Sequence, residues 1–222
     1  MCGRFTLYAQ PDFIQDEFQI ENDEWISEYE SSYNVAPTQK VLTVVQGKQK
    51  YRAGFMKWGL VPFWAKEASI GYKMINARSE TIEEKPSYKH LVNKRHCIVL
   101  ASGFYEWKKE NGTKQPYYIQ TNNNKLLKFA GLWDRYEKDG NSIVTCTILT
   151  KGANETMEPL HHRMPVMLND DNWKTWLTPS EYSFDEFMKK FYKDDISLSY
   201  FPVSTKVNKP SHNEKECTER IL

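Results

Sequence analysis

The sequence predicts an α+β fold, a single largely antiparallel, barrel-like sheet system with peripheral helices. Three observations lead there. Short apolar runs bounded by turn residues recur from Val41 to Val203, ahead of a polar tail. Asn111-Gly112 and Asp139-Gly140 separate strand-like runs as hairpin turns do. Thirteen Tyr, eleven Phe and seven Trp favour strands and large packed side chains.

Taken in order, Phe5 to Tyr8 alternates as a strand. Pro11 then opens a helix through Ile20, with Phe13, Ile14 and Phe18 on one face. Tyr33 to Pro37 is extended, Val41 to Val45 is a buried strand, and Arg52 to Leu60 is its partner after the Gly47 turn. Met74 to Thr81 precedes a short helical stretch from Pro86 to about Val92. Cys97 to Trp107 reads as the strongest strand, turned at Asn111-Gly112 into Tyr117 to Ile119. Phe129 to Tyr136 and Ile143 to Thr150 make the second hairpin. Asn169 caps a helix with the stripe Trp173, Trp176 and Leu177. Ser183 and Glu186 form a capping box ahead of Phe184, Phe187, Met188 and Phe191. Leu198 to Val203 is the last strand. Residues 1–222 are expected to form one domain, with the tail after about 207 peripheral.

Thirty basic residues against twenty-nine acidic ones exclude a protein that coats duplex DNA by counterion release, so any nucleic-acid contact must be a local groove. No apolar run approaches a membrane span and no secretory leader is expected. The four cysteines, Cys2, Cys97, Cys146 and Cys217, show no CxxC or zinc spacing, and no metal or cofactor is expected. Their distribution fits a reducing cytoplasm.

The chemistry concentrates at the start. A small residue at position 2 predicts removal of Met1, which leaves a cysteine with a free α-amine and a β-thiol. Their ordinary pKa values, about 7.7–8.0 and about 8.5, give both groups reactive forms near neutrality. Such an aminothiol condenses with an aldehyde to an imine and then closes a thiazolidine ring. The plain alternative is a frayed terminus. Arg4 adds a cation suited to phosphate or carboxylate. Alternation puts Glu106 on the same strand face as Phe104, among aromatics, where its carboxyl pKa should rise. The alternative is a strand-end glutamate in water or paired with Lys108. His161 or His162 is a candidate proton carrier or a loop histidine. Asn76 and Arg78 point to one side, an amide beside a cation suited to a sugar and its phosphate, or else Arg78 pairs with Glu80. Trp58, Phe63 and Trp64 are stacking surfaces for unpaired bases or core residues.

Six segments occur in a familiar order: Met1-Cys2-Gly3-Arg4-Phe5, Tyr33-Asn34-Val35-Ala36-Pro37, Trp58-Gly59-Leu60, Ile75-Asn76-Ala77-Arg78-Ser79-Glu80, Gly103-Phe104-Tyr105-Glu106-Trp107 and His161-His162-Arg163-Met164-Pro165. From Cys2 to about Val207 the chain resembles the SRAP family, the SOS-response-associated peptidase-like proteins that process abasic sites, in particular its short bacterial and phage members. The resemblance implies a sensor and shield of abasic sites in single-stranded DNA. Cys2 would form a thiazolidine crosslink with the opened deoxyribose. It implies that Asn76 holds the sugar, that Glu106 is acid and base in ring opening and reversal, and that His161 is the family histidine. Arg4, Arg78 and Arg163 would take flanking phosphates, Asn34 would line the pocket, and Trp58 and Trp64 would lie where the strands part. The implied partner is abasic single-stranded DNA at fork-like junctions, bound by a monomer in the bacterial cytoplasm or nucleoid. The rivals are an N-terminal-nucleophile amidotransferase, for which no glutamine-binding signature is found, a peptidase using Cys2, and a passive binder of damaged DNA.

Overall fold

Strict alternation along a few long strands sets the architecture. The computed structural model describes residues 2–110, 112–178, 183–191 and 196–221. Its strands are β1 (Phe5–Leu7), β2 (Ser32–Val35), β3 (Lys40–Gln46), β4 (Tyr51–Trp58), β5 (Asn76–Arg78), β6 (His96–Ala101), β7 (Gly103–Glu110), β8 (Thr113–Thr121), β9 (Leu127–Lys138), β10 (Asn141–Gly152), β11 (Arg163–Pro165), β12 (Met167–Leu168) and β13 (Leu198–Pro202). The helices are α1 (Pro11–Phe18), α2 (Trp173–Leu177) and α3 (Phe184–Phe191).

Five strands close a ring in the order β10-β4-β3-β6-β9, with β9 pairing back onto β10. All its pairs are antiparallel except β4 with β10, whose register sets Lys57 beside Thr145 and Trp58 beside Cys146. Val41, Met56, Trp58, Cys97, Val99, Leu127, Phe129, Cys146 and Ile148 belong to one buried cluster drawn from all five strands, which is the barrel interior. The intervening residues Leu42, Val44, Ala53, Ile98, Leu100, Ala130 and Leu132 join an outer cluster under α1, α2 and α3. Both faces are therefore buried, which is why β6 reads as an uninterrupted apolar run. A second sheet, in the order β13-β8-β7-β1-β2, contributes Phe5, Phe104 and Ile119 to the barrel interior.

The predicted α+β class and both hairpins are present. Asp139 and Gly140 turn β9 into β10 with φ of 51° and 77°, the positive-φ pair such a turn requires. At the β7–β8 hairpin Gly112 has φ of 81°, while Asn111 lies outside the described residues. The Ser183–Glu186 capping box forms reciprocally: Ser183 N–H donates to Glu186 Oε2 at 3.0 Å and Glu186 N–H to Ser183 Oγ at 3.3 Å. Of that helix's apolar residues, Phe184, Phe187 and Met188 are buried; the Phe191 side chain lies outside the described ones.

Several expectations are corrected. Cys97 to Trp107 is two strands in two sheets, because the chain leaves the barrel at Ser102, whose N–H donates to Thr6 C=O at 2.7 Å. Phe13 is exposed: only Ile14 and Phe18, four residues apart, share the buried face of α1. Residues 86–92 form successive turns, with Ile82, Tyr88, Leu91 and Val92 pressed into the outer cluster. Asn169 caps by accepting from the N–H groups of Asp171 and Asn172, both at 3.0 Å, one turn before α2 begins. The segment after 207 is no loose appendage, since Val207 and Cys217 are wholly buried and Val203 bridges to Arg220. No helix among the described residues is long and apolar enough to cross a membrane.

The switch between sheets needs Gly103. A Cβ there would lie 2.3 Å from Tyr118 Oη and 2.7 Å from the Ile119 carbonyl. Gly103→Ala is expected to lower stability by about 1–3 kcal/mol, read as a lower urea midpoint at unchanged m value.

Candidate active site

The short strand β1 carries the amino terminus into the protein. Phe5 pairs with Phe104 and Thr6 with Gly103, antiparallel, and Tyr105 N–H donates to the Arg4 carbonyl at 2.9 Å. The same register, continued, sets Glu106 across from Gly3, the neighbour of Cys2. Phe5 fixes it by packing on Trp58, ring centroids 5.0 Å apart, and on Phe129 at 6.1 Å. Cys2 is wholly buried at this end of the barrel interior. Burial pushes its thiol pKa up, and the Glu106 carboxylate adds to the shift.

Glu106 is only 4% exposed, which decides against a solvent-facing strand end. Alternation along β7 turns Phe104 into the barrel interior and Tyr105 into a separate cluster with Tyr118 and Val203, as predicted. Burial is the main cause that raises the Glu106 carboxyl above the ordinary range.

Asn76 reaches the same place from β5, which runs parallel to β10 with Asn76 beside Ile148. Its Nδ2 donates to the Cys2 carbonyl at 2.8 Å. Its Oδ1 is buried and accepts no hydrogen bond among the described residues. Trp58 supports it from below, donating Nε1–H to the carbonyl of Ile75 at 2.9 Å.

His161 follows Leu160 and precedes Met164, both of which join Cys2 in the barrel interior. Its Nδ1 accepts the Arg163 N–H at 2.9 Å, so the neutral ring carries its proton on Nε2. Burial pushes its pKa down to about 4. The ring stacks on His162, centroids 4.3 Å apart, and His162 is exposed.

The remaining predicted residues divide. Arg78 is exposed and has no ion-pair partner among the described residues; Glu80 goes instead to Arg163. Arg163 holds Glu80 bidentately, at 2.6 and 2.9 Å, and donates to the Thr150 carbonyl at 2.7 Å. That engagement, in a buried side chain, does not fit a phosphate contact. Trp58 is fully enclosed, which does not fit stacking on a base. Trp64 is 49% exposed, with Phe63 at 58% and Tyr72 at 67% on the same connection between β4 and β5. Arg4 and Asn34 turn to the C-terminal segment: Arg4 Nη1 donates to Asn34 Oδ1 and to the Val207 carbonyl, both at 2.7 Å.

Sequence reasoning missed what holds the aromatic loop. Gly59, at φ of 128°, meets Gly71 so closely that a Cβ would lie 2.6 Å from the Gly71 carbonyl oxygen, which closes the loop's neck. Buried Asp134 accepts the Phe63 N–H at 2.9 Å, with His90 Nε2 at 3.3 Å from the same oxygen. The one sequence signal was a carboxylate inside the apolar run of β9. Among the described residues no group of three or more His, Cys, Asp or Glu is arranged to hold a metal.

A buried cysteine, a carboxyl raised by burial, an amide with a spare acceptor and a neutral histidine suit proton-coupled addition to a carbonyl. A family model for SOS response associated peptidase (SRAP) matches residues 1–210. The chain is 45% identical over 225 residues to the abasic site processing protein YoqW of Bacillus subtilis (strain 168), covering 99% of each. It is 32% identical over 265 residues to the abasic site processing protein HMCES of Xenopus tropicalis, covering 100% of this chain and 79% of that one. A crystal structure of a protein from Bacteroides thetaiotaomicron matches with a TM-score of 0.89 at 25% identity, covering 100% of both chains. With a family model over residues 1–210 and relatives matched along nearly its whole length, the chain belongs to the SRAP family.

Proposed function

We propose that this protein processes abasic sites, the activity named for its relatives, and that it does so in single-stranded DNA by crosslinking through Cys2. The observation that carries the reading is the β1–β7 register that brings Glu106 beside a buried Cys2 whose carbonyl is held by Asn76.

An abasic deoxyribose is mostly a closed hemiacetal. Protonated Glu106 gives its proton to the ring oxygen as the C1′–O4′ bond breaks, and the C1′ hydroxyl proton passes back to the Glu106 carboxylate, which releases the aldehyde and restores the acid. The α-amine of Cys2, free once Met1 is removed, adds to that carbon, and loss of one water leaves an imine. The sulfur then bonds to the same carbon while the thiol proton passes through Glu106 to the nitrogen, closing the thiazolidine. A base is needed because burial keeps the thiol protonated. The orphaned Asn76 Oδ1 is suited to accept from the amine or from a sugar hydroxyl. His161, neutral at working pH, offers its Nε2–H to the leaving water. Carbonyl capture also removes the acidity that drives strand scission by β-elimination.

Phosphate contact falls to Arg78, and Trp64 with Phe63 offers stacking faces to unpaired bases. The partner we propose is abasic single-stranded DNA at fork-like junctions in the nucleoid, engaged by a monomer. A net charge of +1 leaves persistence to the covalent bond.

With an abasic oligonucleotide, Cys2→Ala is expected to abolish the heat-stable adduct while noncovalent binding survives. An adduct retained in that variant would refute the reading. Glutamine hydrolysis by wild type, lost in Cys2→Ala, would favour an amidohydrolase instead.

Glu106→Gln is expected to slow adduct formation roughly 10²–10⁴-fold. Burial favours the protonated carboxyl, so wild-type ring opening should decline as pH rises through the raised Glu106 pKa. That decline should vanish in the Gln variant, as single-turnover rates across pH would reveal.

Trp64→Ala is expected to weaken binding of an undamaged single strand by about 1–3 kcal/mol, measured by fluorescence anisotropy, without changing the crosslinking rate at saturating DNA.

A further inference from the structure

We infer that Arg4, Asn34 and the C-terminal segment form a clamp that positions Cys2, and that Arg4 and Asn34 are positioning residues, not contacts to DNA. The inference deepens the reading above and rests on it for what the positioned thiol does.

One side-chain amide holds three backbone carbonyls. Asn34 Nδ2 donates to the carbonyls of Val207 at 3.1 Å, Lys209 at 3.0 Å and His212 at 2.6 Å, its two hydrogens shared among the three, and the residue is 1% exposed. Its Oδ1 accepts from Arg4 Nη1 at 2.7 Å, and the same nitrogen reaches Val207 O at 2.7 Å. Val207 O is thus shared between the cation and the amide. The Arg4 guanidinium lies 5.8 Å from the Trp107 ring, and Trp107 Nε1 in turn donates to Asn208 Oδ1 at 2.7 Å. Farther along the tail, Asn213 Oδ1 accepts from Tyr33 N–H at 2.7 Å, the residue before Asn34.

These bonds converge on the terminus that needs them. An N-terminal strand of three residues has little surface with which to order itself, and first residues ordinarily fray. Arg4 is two residues from the thiol, and its own carbonyl accepts from Cys2 Sγ at 4.0 Å. A guanidinium held by Asn34 and Val207 therefore fixes the backbone that aims the nucleophile. A phosphate would have to compete with those buried partners.

The test uses the full-length chain. Asn34→Ala removes the amide and keeps every charge; Arg4→Ala removes the cation. Labelling by N-ethylmaleimide, mapped by mass spectrometry, is expected to speed up at Cys2 by about tenfold or more in both variants, with Cys97 and Cys146 unchanged, because only the local unit opens. Single-turnover crosslinking at saturating DNA should slow roughly 10–100-fold, as displacement of a reacting atom does. Affinity for an undamaged strand, and its dependence on salt, should match wild type. Three results would overturn the clamp: Cys2 labelling unchanged, labelling raised equally at Cys97 and Cys146, or a salt slope in Arg4→Ala shallower by about 0.7, the loss of one single-strand phosphate contact. If Arg4→Ala does not fold, Asn34→Ala alone decides. Labelling does not depend on the DNA reaction, so a wild type that forms no adduct would count against the crosslinking function and leave the clamp to be judged on the thiol.

Discussion

Two backbone hydrogen bonds decide where this protein keeps its reactive end: Tyr105 N–H to Arg4 C=O at 2.9 Å and Ser102 N–H to Thr6 C=O at 2.7 Å. They bracket the register of β1 on β7. Because side chains alternate with a period of two, a slip by one residue would turn Phe5 out of the barrel and set Cys2 against a different β7 neighbour. The apolar part of the strand prevents it. Phe5, seated against Trp58 and Phe129, has one position that buries it, and the chemistry two and three residues upstream inherits that position. Hydrophobic packing of Phe5 thus sets the register, and the hydrogen bonds of Arg4 hold the backbone upstream of it.

The same burial sets the protonation states. Desolvation raises both the Cys2 thiol and the Glu106 carboxyl, so the neutral forms are favoured together, and the barrel mouth avoids holding two adjacent anions. Neutrality costs reactivity, since a protonated thiol is a poor nucleophile. It gains a carboxyl that keeps its proton to higher pH than an exposed glutamate does. The buried Asn76 Oδ1, which accepts no hydrogen bond among the described residues, is the residual cost, on the order of 1–3 kcal/mol. A fold that only needed stability would place an apolar side chain there.

Much of this was legible in the sequence, for reasons that differ by residue. The hairpins were written in Asn-Gly and Asp-Gly, whose conformational preferences are local. Glu106 was legible because a carboxylate in an aromatic strand is conspicuous and alternation gives its face. The break at Ser102 was not legible, because β6 and β7 are both apolar and nothing local marks a change of sheet; Gly103 is required by Tyr118, a contact between strands. The uses of Arg4, Asn34 and Arg163 were equally hidden. An arginine in a motif near a reactive cysteine suggests phosphate, yet Arg163 meets Glu80 across 83 positions and Arg4 meets Val207 across 203. Partners that distant in sequence leave no trace in spacing.

On the proposed function, those internal pairings limit how the protein would hold a DNA strand. The net charge is +1, and two of the three motif arginines, Arg4 and Arg163, are engaged with Asn34, Val207 and Glu80, which leaves Arg78 of the three for a phosphate. Each phosphate contact to a single strand contributes a slope of only about 0.7 in the salt dependence, so a site built this way binds loosely before reaction. Loose binding is an advantage for a protein whose target is rare. On the proposed function it would let intact strands leave, since their proposed contacts are stacking on Trp64 and little else. Under the proposed crosslinking, a strand with an exposed aldehyde would be retained because carbon–nitrogen and carbon–sulfur bonds to Cys2 are indifferent to salt. Selectivity then lies in whether the carbonyl is present, and the protein needs to be rigid only where the aminothiol meets it, at the short strand that Phe5 seats.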